Sequence, residues 1–170
     1  MNDTTPRSPV LMLGMGNLLL EDEGLGVRAL EILQQRYEIP PEVELLDGGT
    51  TGMGLLDDIS GREHLIVLDA VQTGDPPGTL VRLAGDDVPV YFSMRISPHQ
   101  LGLSDVLATL ELSGEKPAEV VVLGLVPQSL EMSLELSELI SGKLVDLTGA
   151  AVRELERLGY PLGPTAEPAH

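Results

Sequence analysis

Apolar and polar positions follow two periods that alternate along the chain. Val10–Met15 is a short apolar run that meets a glycine turn at Gly14 and Gly16. Helical spacing follows, with Val27, Leu30, Leu33 and Tyr37 on one side, and Pro40 and Pro41 stop that helix. Residues 43–46 form a second strand, closed by Asp47, Gly48 and Gly49. A short helix is expected over about 52–59. Residues 65–68 are a continuous apolar run, the mark of a strand buried on both faces, and the run ends at Asp69. Residues 74–78 make a turn and 79–83 a strand. Ser97 and Pro98 open a helix, a capping hydroxyl followed by proline in the first turn, and Leu103, Val106, Leu107 and Leu110 continue it. Residues 120–126 read as another buried strand. Leu144, Leu147, Ala151, Leu155 and Leu158 mark a C-terminal amphipathic helix, with Gly159 just past its end. The Pro-rich tail, 161–170, is expected to be loose.

Strands alternating with helices argue for an α/β fold, a mainly parallel sheet with helices on both faces. No internal repeat or linker divides the chain, so residues 1–170 are read as one domain with an ordered core over 7–160. In such sheets ligands sit beyond the carboxyl ends of the strands. That rule decides where chemistry is sought.

Composition narrows the choices. Apolar residues make up 42%, enough for a core, whereas aromatics make up 2%, so stacking platforms for bases are scarce. The formal net charge of -17 repels phosphate backbones and anionic membrane surfaces, so neither nucleic acid nor membrane is an expected partner. A partner with a basic patch would be attracted. Cysteine is absent, which removes thiol nucleophiles, thiolate metal sites and disulfides. The first nine residues have no apolar signal core, and no apolar run approaches the ~20 residues of a membrane span. A soluble cytoplasmic protein is expected.

Three polar residues stand where the carboxyl-end rule points. Glu23 follows the first strand at the start of its helix, Asp69 ends the third, and His99 lies in the first turn of the helix opened by Ser97 and Pro98. Two carboxylates and an imidazole suit a borderline divalent metal such as nickel or zinc, and three protein ligands leave positions open. Each residue also has an ordinary reading. Glu23 would complement a helix dipole, Asp69 would bind backbone amides at a strand end, and His99 would be a plain first-turn residue. Asp22 competes with Glu23 for the inward position. The loop 14–17 resembles a dinucleotide turn, but Leu19 stands where the third glycine belongs. Residues 113–116 match S-x-x-K without its companion motifs. His64, before a strand, and His170, in the tail, are poorer ligand candidates.

The segments GMGNLLLEDEGLG (14–26), LDGGT (46–50), LDA (68–70), SPHQ (97–100) and GLVPQSL (124–130) together resemble the hydrogenase maturation endopeptidases. The resemblance covers the chain except its termini. It implies a three-layer fold, a twisted five-stranded sheet between helices. It also implies an endopeptidase that removes a C-terminal extension from a hydrogenase large-subunit precursor after nickel insertion. On this resemblance Glu23, Asp69 and His99 are the metal-contacting and catalytic residues, and the nickel is carried by the substrate. The metal would polarise the carbonyl or activate water, or a carboxylate would act as general base. Asp47, Gly48 and Gly49 are candidates for substrate recognition, although Gly48 and Gly49 also suit a tight strand-to-helix turn. A non-proteolytic nickel-dependent chaperone of the same precursor is the alternative.

Overall fold

Strands β1 (Val10–Met15), β4 (His64–Ala70) and β6 (Glu119–Leu125) are buried along almost their whole length, as apolar runs must be when both faces of a sheet are covered. With edge strands β3 (Val43–Gly49) and β5 (Leu80–Ala84) they form a five-stranded sheet in the order β3–β1–β4–β6–β5. Four strands run parallel, and β5 is antiparallel to β6. The α/β architecture expected from the alternating pattern is therefore present. This computed structural model describes residues 7–16, 21–49, 53–93, 98–130 and 135–165, with the backbone alone at 21, 23, 53, 93 and 98–102.

Successive side chains of a strand point to opposite faces, which divides the core in two. Val10, Met12, Ile66, Leu68, Val121 and Leu123 pack with helices α1 (Leu25–Arg36) and α5 (Glu138–Arg157). Leu11, Leu13, Leu65, Val67, Val120 and Val122 belong to the other layer. There they meet Ile59 of α2 (Leu56–Ile59), Val88 and Phe92 of α3 (Asp87–Ser93), and Leu103, Val106 and Leu110 of α4 (Pro98–Ser113).

Some boundaries differ from the sequence reading. Helix α1 ends at Arg36, because Tyr37 turns extended (φ -130, ψ 149). Tyr37 and Glu38 form β2, which pairs antiparallel with β7 (Gly163–Pro164), and the Thr165 amide donates to the Arg36 carbonyl at 3.0 Å. The tail is thus tied down at these positions rather than loose. Tyr37 still packs half-buried on the core, which is why its spacing looked helical. Helix α3 was not anticipated. Its signals are an acid in the first turn and Val88, Tyr91 and Phe92 at helical spacing, within a segment too short to show a period. Helix α5 starts six residues before its first expected apolar position, Leu144, at a cap where the Ser137 hydroxyl accepts from the Ile140 amide.

Candidate functional site

The carboxyl edge of the sheet is built around β4, its central strand. Asp69 pairs with Gly124 of β6 near that edge and is 1% exposed. Its Oδ1 accepts the Ala70 amide at 2.8 Å. A Cβ on Gly124 would fall on the Asp69 carbonyl oxygen, so β6 can pass the end of β4 this closely only with glycine.

Glu23 is brought to the same edge by backbone packing. The 3-10 turn Glu21–Gly24 feeds α1 and packs against β4. A Cβ on Gly26 would overlap the Leu68 carbonyl oxygen and lie 2.6 Å from that of Met15. The first turn of α1 therefore rests directly on the ends of β1 and β4. Within the 3-10 turn, Asp22 is fully buried. Its Oδ2 accepts the Gln128 amide at 2.8 Å, the Ser129 amide at 2.9 Å and the Ser137 hydroxyl at 2.8 Å. Its Oδ1 accepts the Ser137 amide at 2.8 Å, and its own amide donates to the Ser129 carbonyl at 3.1 Å. Both oxygens of Asp22 are thus committed to the fold, whereas the Glu23 side chain lies outside the described residues.

Glu23 follows in the same turn, and His99 is the second residue of α4, directly after Pro98 as the helix-start signal required. The side chains of Glu23 and His99, and the expected cap Ser97, lie outside the described residues. Glu23 and Asp69 thus belong to neighbouring elements on one edge. Among the described residues no three His, Asp or Glu side chains converge on a common point.

Asp47, Gly48 and Gly49 end β3 on the sheet's edge, at the carboxyl side as expected. Asp47 is exposed, and its Oδ1 accepts the Gly49 amide at 2.9 Å. Gly49 has φ +54, where a side chain is disfavoured, and its carbonyl accepts the Gly16 amide at 3.0 Å. A Cβ on Gly48 would lie 2.7 Å from Met15 Sδ and 2.9 Å from Leu13 Cδ1. Gly48 and Gly49 are therefore the closing residues of β3 rather than a turn after it, and Asp47 is the member of the group that faces solvent.

An open cleft of about 580 Å³ lies beyond the same strand ends, between the loops after β4 and β6. Gln72, Thr73, Pro77, Pro127, Gln128 and Leu130 line it. Asp22 holds one of its walls, a link that sequence reasoning missed. Only the segment 124–130 hinted at it, and without a role. A larger cavity, about 740 Å³, opens at the opposite end of the parallel strands, between α3, α4 and the β5–β6 pair. Arg82 and Arg157 at its rim are committed to Glu154, at 3.0 and 2.7 Å, so they offer no free anion site.

A family model for hydrogenase maturation proteases matches residues 27–154, which takes in Asp69 and the start of α4 and begins just past the turn of Asp22 and Glu23. The hydrogenase 2 maturation protease of Escherichia coli (strain K12) is 46% identical over 149 residues, 85% of this chain and 91% of that protein. The solved structure of the hydrogenase maturating endopeptidase HybD from E. coli superposes with a TM-score of 0.89 at 43% identity, covering 92% of this chain and 98% of that one. The NiFe hydrogenase maturation protease HybD from Thermococcus kodakarensis is similar at 27% identity, 88% and 97% coverage and a TM-score of 0.70. These likenesses favour a protease over a chaperone. They run through the sheet and both helical layers, and on them the chain belongs to the hydrogenase maturation protease family and is a hydrolase of the peptide bond.

Proposed function

We propose that this endopeptidase removes the C-terminal extension from a nickel-loaded hydrogenase large-subunit precursor in the cytoplasm, and that it reads the substrate's nickel through Glu23, Asp69 and His99. The observation that carries this reading is the burial of Asp69 at the carboxyl end of the central strand, beside the turn that holds Glu23. A carboxylate placed there serves a ligand at the strand ends. His99, in the first turn of α4, supplies an imidazole for a borderline metal. The nickel belongs to the substrate, and contact with it orients the scissile peptide. Hydrolysis then uses water activated by that nickel or by one of the two carboxylates. Asp47, exposed at the end of β3, contacts the subunit on the same carboxyl edge of the sheet, together with the backbone of Gly48 and Gly49.

Intact mass of the precursor, before and after incubation, tests the reading. Nickel-loaded precursor should lose its extension, and the nickel-free form should stay intact. Equal cleavage of both would overturn metal-directed recognition. Replacing Glu23, Asp69 or His99 by Ala should abolish processing of the loaded form while the protein stays folded. Full activity in any one of them removes that residue from the site.

A further inference from the structure

We propose that Asp22 is a positioning residue for peptide hydrolysis: its carboxylate locks the turn that carries Glu23 to the loop that walls the cleft beyond β6. The inference rests on the proposed function for its reaction, and on the geometry of Asp22 for its mechanism. An ionised carboxylate taken fully out of water is expensive unless its lone pairs are filled. Here four donors fill them, three backbone amides and one hydroxyl. Bonds of this kind are charge-assisted and about twice as strong as neutral ones.

A buried charge is a poor device for stability alone, because apolar packing of the same volume does as well or better. Its distinctive property is direction. Asp22 fixes the 3-10 turn against Gln128 and Ser129 on one side and against Ser137, the N-cap of α5, on the other. The Asp22 amide bonded to the Ser129 carbonyl closes the junction from the main chain as well. Gln128 and Ser129 are also lining residues of the cleft, across from the loop after β4. One carboxylate thus sets the distance between a candidate metal-contacting element and the wall against which a substrate strand would lie. A misplacement of about 1 Å in such a relation can cost ~100-fold in rate.

The experiment compares parent, Asp22→Asn and Val122→Ala, the last a core truncation within β6 that does not line the cleft. Asparagine keeps the shape but turns one acceptor oxygen into a donor facing an amide. With nickel-loaded precursor, at a temperature where all three are folded, Asp22→Asn should lose at least ~10-fold in kcat with KM within about threefold, while Val122→Ala keeps kcat within about threefold. Amide hydrogen exchange at Gln128 and Ser129 should speed up by at least ~10-fold in Asp22→Asn. Should Asp22→Asn fail to fold, Ser137→Ala removes one of the four bonds together with the cap on Ile140, and its kcat should fall about threefold at unchanged KM. Parent-like kcat in the variant tested, a loss of kcat matched by Val122→Ala, or unchanged exchange overturns the positioning role and leaves the proposed function standing. A parent protein that does not shorten the loaded precursor defeats the proposed function instead, and the exchange comparison still decides whether Asp22 holds the loop.

Discussion

Gly26 stands where the first turn of α1 crosses the ends of β1 and β4. A methyl group there would meet two main-chain carbonyls, Leu68 and Met15, and neither can swing aside without disturbing its strand. Gly26→Ala should therefore cost about 2–3 kcal/mol, seen as a melting temperature lowered by about 4–12 °C. At this scale the sequence was informative about residue type and silent about direction. It put two acids side by side at positions 22 and 23, and nothing local distinguishes them. The distinction lies in Gln128, Ser129 and Ser137, more than a hundred residues away, whose amides choose Asp22. Asp69 was easier to place, because a lone carboxylate after a run of buried apolar residues marks a strand end by itself.

Elements carry their own test. Leu68 is fully buried in the layer between the sheet and helices α1 and α5. Leu68→Ala should lose about 2–5 kcal/mol in denaturant unfolding. Gly142, exposed in the first half of α5 with open space where a Cβ would stand, should behave in the opposite way. Gly142→Ala should gain about 0.5–1 kcal/mol, because alanine has less backbone freedom to lose. The central strands were legible since burial on both faces needs uninterrupted apolar runs, which β1, β4 and β6 supply. The β2–β7 pair was not, since two residues on each side cannot show a period and their partnership is set by where α5 ends. The antiparallel direction of β5 was equally hidden, because strand direction depends on the route of the connection rather than on side-chain pattern.

At the scale of the molecule, one ionic cluster joins the edge strand β5, strand β6 and helix α5. Arg82 grips Glu154 with two bonds of 3.1 and 3.0 Å, and Arg157 reaches Glu154 at 2.7 Å and Glu119 at 2.8 Å. Burial pushes the Glu154 carboxyl up, but the bonds and charge of both guanidiniums outweigh it and hold the group below its ordinary value. Hydrogen bonding to Arg157 lowers Glu119 as well, and bonds to Glu154 first and Glu119 second raise Arg157. A folded-state carboxyl held below its unfolded value adds stability above the unfolded pKa and loses it as pH falls through the folded one. The gap in melting temperature between parent and Glu154→Gln should therefore stay level from about pH 6 to about pH 8 and close as pH drops below about 4. A gap that widens in acid would contradict the assignment of charge in this cluster.

The bonds of Asp22 also have a meaning in time. Its partners lie 106 to 115 residues further along the chain. Ribosomes add about 5–20 residues per second, so the turn waits about 6–23 s for Ser137 to be made. During that interval the first strand and its helix can pair with β3 and β4, which are close in sequence, while the carboxylate still lacks Ser137, the residue that supplies two of its four bonds. A nascent chain halted before Ser137 holds all five strands of the main sheet but not the last residue that anchors the rim of the cleft.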